Sequence, residues 1–267
     1  MEQKLRNILG KTNIVGRELR CFDVIDSTNT YLKRAALEGA EDGMVVLAAQ
    51  QTAGRGRMTR SFESPKGKGL YLSVLLRPQL QPEQLLPVTA LAGVAVCDAV
   101  ERICGVRSRL KWPNDPVLGN RKLCGILTEL VTDASGRPGV VLGIGINLSQ
   151  TVSDFSPEVA ELATSLLLAL GREVSCAALA AAVIEELDRL YAALLAGDLT
   201  AYLAAYRRDC VNLGKAIQLI HPDGSREQAE ALDVDDAFGL VVRGADGQIR
   251  TVRSGEVSVR GLYGYLE

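Results

Sequence analysis

Apolar residues are distributed along this chain in two textures. Runs rich in β-branched residues at 21–25, 44–49, 70–76, 106–112, 122–131 and 140–146 are bounded by Gly, Pro, Asp or Asn, which marks strand ends. Between and after them the spacing shifts to threes and fours. A short helix is predicted over 28–38. A longer one over 85–104 aligns Leu85, Val88, Leu91, Ala92, Ala95 and Ala99, with Pro87 in its first turn, where the missing N–H costs little. Over 175–195, Leu179, Val183, Leu187, Leu190 and Leu194 form one stripe and leave Glu185, Glu186 and Arg189 to solvent. After Asp209 short β-like runs at 216–221, 229–233, 239–242, 249–252 and 257–260 alternate with turns such as Pro222-Asp223-Gly224, the pattern of a small β-barrel. The expected fold class is α+β: a mixed β-sheet domain over 1–211, then a small all-β domain over 212–267.

A length of 267 residues suits one large core plus a small extra domain. The chain is 47% apolar and carries a formal charge of -2, so no global field holds it on nucleic acid or an anionic membrane. An anionic ligand must meet a local cluster of Lys and Arg. No signal-like apolar run opens the chain, and no stretch approaches ~20 uninterrupted apolar residues, so no membrane partner is expected. The six cysteines lie far apart without a C-x-x-C pair, a poor zinc or disulfide framework, and are expected as reduced thiols of a cytoplasmic protein. The single histidine, His221, sits in the tail, where a surface role is expected. That excludes a Ser-His-Asp or Cys-His hydrolase.

Four segments place polar residues beside strand ends. In residues 51–60, QTAGRGRMTR, two glycines and three arginines form a loop able to fold backbone N–H groups and guanidinium forks around phosphates; a basic surface turn is the plainer alternative. Thr59 stands where a G-x-G-x-x-G fingerprint needs glycine. Lys66 and Lys68 add positive charge just downstream. The Gly10-Lys11-Thr12 triplet is no P-loop, because position 5 is Leu. Next, Lys111-Trp112-Pro113-Asn114-Asp115 sets a cation, an amide and a carboxylate at a strand end that Pro113 enforces, suited to a phosphate and magnesium or simply to an Asx-turn. In residues 121–129, Lys122 opens an otherwise apolar strand and Gly125 leaves room for close approach. Last, Gly143-Ile144-Gly145-Ile146-Asn147 bares one face of a strand, for a flat ring or for tight helix packing.

Together and in this order, from Asp26-Ser27-Thr28-Asn29 to Asn147, these segments resemble the biotin protein ligase family, in a form lacking the N-terminal DNA-binding domain. The β tail resembles the family's small SH3-like C-terminal domain. The resemblance implies biotin, ATP and Mg2+ as ligands, a biotin carboxyl carrier protein as partner, and a possible homodimer through the main sheet. It implies Lys122, Arg57 and Lys111 as the catalytic cations. Biotin would meet Ser27, Thr28, Asn29, Gln51, Gly54, Arg55, Arg57, Lys122 and the Gly125 backbone. The nucleotide would meet Arg57, Arg60, Phe62, Trp112, Asn114, Asp115, Lys122 and Asn147, with the metal at Asp115. Two positions depart from the family: Phe62 stands where Trp is common, and Met58-Thr59 replace Arg-Gly.

The same resemblance leaves a lipoate-protein ligase as the nearest rival, and the neutral set Ser27, Thr28 and Gln51 favours a ureido ring over a dithiolane. A biotin-sensing repressor would need roughly 60 residues of winged helix-turn-helix, and 25 precede Asp26. A noncatalytic biotin-binding scaffold would not need the Arg and Lys set. The glycine-rich loop is expected to be mobile until a ligand closes it.

Overall fold

The computed structural model describes residues 2–56, 60–85, 87–255, 257–261 and 265–266, with the side chains of 82 and 83 outside the description. Its main sheet contains β1 (Leu19–Ile25), β2 (Val45–Gln51), β3 (Gly69–Leu76), β7 (Cys124–Thr132) and β8 (Pro138–Asn147), in the order β1-β2-β3-β8-β7. β1 and β2 are parallel, because the helix α2 (Thr28–Leu37) carries the chain back between them; every other pair is antiparallel. Alternation along β2 divides the core. Val46 points with Met44 to the face covered by Leu32 and Ala36 of α2, while Val45 and Leu47 point into the larger cluster. That cluster is roofed by α4 (Val88–Cys104) and α7 (Cys176–Ala196), so β3, covered on both faces, is buried at all of its positions.

At the N-terminus, α1 (Glu2–Ile8) buries Leu5 against α7. The Asp188 carboxylate on α7 then accepts backbone N–H bonds from Asn13, Ile14 and Val15 at 2.7, 2.8 and 2.9 Å. The expected helix over 85–104 starts at Val88. Pro87 holds its N-cap, and a separate turn of helix, α3 (Pro82–Leu85), precedes it, since proline breaks the hydrogen-bond ladder and restricts the residue before it. The strand expected over 106–112 shortens to β4 (Arg109–Lys111). It folds against β5 (Asp115–Leu118) and β6 (Arg121–Lys122), two strands that the apolar pattern does not announce.

After β8 come η1 (Val152–Asp154), α5 (Pro157–Ala160), α6 (Leu166–Leu170), α7 and then α8 (Thr200–Asp209). The tail forms a second antiparallel sheet of β9 (Ala216–Ile220), β10 (Arg226–Val234), β11 (Leu240–Gly244), β12 (Ile249–Val252) and β13 (Ser258–Gly261), ordered β12-β11-β10-β9-β13. All five runs read from the sequence are strands here. Among the described residues β12 and β13 form no ladder with each other; the single bridge Ser254–Val257 lies between them, so the small SH3-like unit is described as a sheet. The core continues from one sheet into the other. Trp112 donates its indole N–H to the Phe238 carbonyl at 3.1 Å, and the Tyr206 and Phe238 rings meet edge to face at 5.5 Å. Among the described residues all six cysteines are free thiols, and no helix is long and apolar enough to cross a membrane.

Candidate functional site

The cavity, of about 400 Å³, is bordered by the N-terminus of α2, the ends of β2, β7 and β8, the β4–β6 hairpins and the C-terminal segment. One wall is neutral and polar. Ser27 caps α2, its hydroxyl accepting the Thr30 N–H at 3.4 Å. The Gln51 carbonyl accepts from both the backbone N–H and the hydroxyl of Thr28, at 2.9 and 3.0 Å, while its amide donates to Ser64 Oγ at 2.9 Å. Behind them Ser73 Oγ lies 2.7 Å from Thr28 Oγ1 and 2.6 Å from Asn29 Oδ1. Asn29 donates to the Glu129 carboxylate at 3.0 Å, which also pairs with Lys33 at 2.9 Å and Arg55 at 3.3 Å. Burial works to raise the Glu129 pKa, but the Asn29 hydrogen bond and these cations outweigh it and lower it.

The floor is made of glycine. Gly125 pairs directly with Gly145 across β7 and β8, and Gly143 lies two residues along. A Cβ at 145 would stand 2.5 Å from the Phe62 ring and one at 125 would stand 2.9 Å from it; a Cβ at 143 would stand 2.1 Å from Asn29 Oδ1. The sequence implied a bare face, for a flat ring or for tight helix packing. Here the Phe62 ring lies on it, edge to face with Tyr71 at 6.4 Å. Gly54 does not border the cavity. It lets the loop turn back, because a Cβ there would stand 2.3 Å from the Phe62 carbonyl oxygen, and its own carbonyl accepts the Phe62 N–H at 2.9 Å. Arg55 and Arg60 border the cavity; Arg57, with Met58 and Thr59, lies outside the described residues. Lys66 and Lys68 pair with Asp23 and Asp154, at 2.5 and 3.1 Å.

Charge gathers at the other end. Cross-strand partners share a face, so Lys111 opposite Asp115 and Lys122 opposite Val117 bring three charged side chains to one side of the small sheet. Lys122 Nζ donates to Asp115 Oδ1 at 2.5 Å, and the Tyr265 hydroxyl donates to Asp115 Oδ2 at 2.6 Å. Lys111, 2% exposed, lies with its ammonium 3.9 Å from the centre of the Tyr265 ring. Burial raises the Asp115 pKa, but Lys122 and Lys111 overcome that and the net shift is downward. Asn114 donates to the Ile126 carbonyl at 2.6 Å, and Asn147 donates to the Thr164 carbonyl at 2.9 Å; both border the cavity. Trp112 is 1% exposed and borders the cavity, its N–H already engaged by the Phe238 carbonyl. Among the described residues no group of three or more metal-ligating side chains gathers; Asp115 borders the cavity, and each of its carboxylate oxygens keeps a further lone pair that a magnesium ion arriving with phosphates and water could use.

A neutral hydrogen-bonding wall, a glycine floor covered by Phe62 and Asn29, and a cationic end thus share one cavity. Comparison with known proteins decides between the alternatives. The model of the biotin/lipoate A/B protein ligase family matches residues 21–147. The biotin–[acetyl-CoA-carboxylase] ligase of Mycobacterium tuberculosis is 33% identical over 267 aligned positions, covering 96% of this chain and 94% of the relative. The bifunctional ligase/repressor BirA of Bacillus subtilis is 31% identical over 249 positions, 93% of this chain and 76% of the relative. This chain is a member of the biotin protein ligase family. The solved biotin protein ligase of Aquifex aeolicus in complex with biotin and ATP superimposes with a TM-score of 0.81 at 27% identity, covering 92% of this chain and 99% of that one.

In this ligase the site also draws on residues to which the motifs assigned no role: Ser73 and Glu129 hydrogen-bond the wall from behind, and Arg260 and Tyr265 border the cavity. Ser73 is the lone non-aromatic polar side chain in its strand, a signal available in the sequence. Glu129 closes one of the quoted segments and gathers Asn29, Lys33 and Arg55. Arg260 and Tyr265 come from the tail, where no apolar or polar pattern sets them apart.

Proposed function

We propose that this ligase activates biotin as biotinyl-5′-AMP and then transfers the biotinyl group to a lysine of a biotin carboxyl carrier protein. The observation that carries the reading is the polarity of this cavity: uncharged donors and acceptors at one end, Lys111 and Lys122 at the other. A ureido ring in an apolar slot needs neutral partners such as Ser27, Thr28 and Gln51, because leaving its donors unpaired would cost about 1–3 kcal/mol each. The carboxylate of biotin would then attack the α-phosphorus of ATP, forming the P–O bond as pyrophosphate leaves. An acceptor lysine amine would next attack the mixed anhydride and release AMP. Neither step needs a protein nucleophile; Lys111, Lys122 and Arg57 would stabilise charge on the transferring phosphate. Magnesium, held by Asp115 and the phosphates, would supply further charge neutralisation. The proposed division of labour assigns residues 1–211 to both chemical steps and 212–267 to an appended unit that closes the charged end. The loop at 51–60 would close over the intermediate, and biotin would slow its proteolysis.

Pyrophosphate exchange into ATP tests the first step, and mass spectrometry of an acceptor domain tests the second. Exchange should depend on biotin, and Lys122→Ala should lower it about 100-fold or more, as loss of a transition-state cation does. Exchange that answers to lipoate and ignores biotin would overturn the assignment.

A further inference from the structure

Tyr265 lies outside every motif of the main domain, yet it touches the charged end of the site in two ways. Its hydroxyl donates to Asp115 Oδ2 at 2.6 Å while Lys122 occupies Oδ1 of the same carboxylate at 2.5 Å. The face of its ring stands 3.9 Å from Lys111 Nζ, and Arg260 approaches the same ring at 5.4 Å. The contact is anchored: the next residue, Leu266, is buried with Val117 of β5 and Val211, and Tyr265 packs against that cluster. The end of the chain is thereby seated on the strand that carries Asp115.

We propose that Tyr265 is a positioning residue of the adenylation site, fixing Asp115 so that Asp115 holds Lys122, while its ring holds Lys111 toward the cavity. A lysine has a long flexible stem, and its ammonium acts on a developing charge only where a partner restrains it. With one carboxylate oxygen bound to a phenol, Asp115 loses rotation about its terminal bond and Lys122 gains a fixed partner. A cation over the ring face is attracted by the ring quadrupole, so the Tyr265 ring adds a restraint on where the Lys111 ammonium stands. The segment that follows the second sheet thus acts on the charged end through one side chain.

The role rests on the ligase reading, and biotin-dependent pyrophosphate exchange by the full chain separates the two. Tyr265→Phe keeps the ring and removes the hydroxyl. It should lower kcat about tenfold, the worth of one hydrogen bond to a charged group, with the KM for biotin within twofold of wild type. Tyr265→Leu removes the ring as well and should also raise the KM for MgATP. In an Asp115→Asn background Tyr265→Phe should have no further effect on kcat, because its route through the carboxylate is already cut. A Tyr265→Phe variant with wild-type kcat, effects that multiply with those of Asp115→Asn, or a rise in biotin KM equal to the fall in kcat would overturn the role. Wild-type chain without biotin-dependent exchange would instead remove the ligase reading, and this role with it.

Discussion

At Gly143 a single hydrogen atom decides whether the site can form. A methyl group there would stand 2.1 Å from Asn29 Oδ1, and Asn29 cannot retreat without losing Ser73 and Glu129. Gly143→Ala should therefore destabilise the fold by roughly 2–3 kcal/mol, the range for overpacking joined to a broken buried hydrogen-bond network. Urea unfolding measures this, and a variant with an unchanged midpoint would refute the account. The alternation of glycines was legible in the sequence as a bare face. What lies on it was not, because a glycine says that something comes close and not what. Phe62 over Gly125 and Gly145 and the Asn29 amide over Gly143 come from loops and helices far away in sequence, and only the closed fold brings them there.

Among the elements, those with a clear apolar run between turn residues were legible, the short tail strands included, and those without one were not. β3, β7, β8, α2 and α7 announce themselves through whole runs of apolar positions. β5 and β6 hold four and two residues and include Pro116 and three charged side chains, so no alternation can develop. Their pairing depends on the hairpin that starts at Pro113. The cost of missing them was specific: the shared face of Lys111, Asp115 and Lys122 follows from their register. α1 buries only Leu5, and α8 buries Leu203, Tyr206 and Asp209, too few for a stripe. The tie between α7 and the N-terminal segment is equally silent in sequence, since Asp188 sits on the buried side of a helix among alanines and leucines. Asp188→Ala would leave three backbone N–H groups without their carboxylate, at a cost of about 3 kcal/mol. Thermal unfolding would show it, and a melting temperature within a degree of wild type would contradict the capping role.

For the whole molecule, electrostatics and core continuity give two expectations. Asp115, Glu129 and Asp209 all have lowered carboxyl pKa values, because neighbouring cations and hydrogen-bond donors outweigh burial, which works to raise them. Depressed folded values mean that their stabilisation is present above the ordinary carboxylate range and is lost as pH falls through the folded pKa values. Denaturant midpoints should hold level from pH 8 to about 5 and drop below 4; a midpoint that rises on acidification would reverse the sign. The second expectation concerns cooperativity. The core runs from the main sheet into the tail through Trp112, Tyr206 and Phe238, and Arg207 donates to the Val234 carbonyl at 2.8 Å. The chain should unfold in one transition, and two separated transitions by calorimetry would show that the tail melts on its own.

The indole seated between the two sheets is the sole tryptophan of the chain. Excited at long wavelength, the molecule therefore has one emitter, 1% exposed and tethered to a backbone carbonyl across the junction. Its colour and anisotropy report on that seam alone, so a spectrum that reddens before the far-ultraviolet dichroism changes would reveal the halves parting while each keeps its shape.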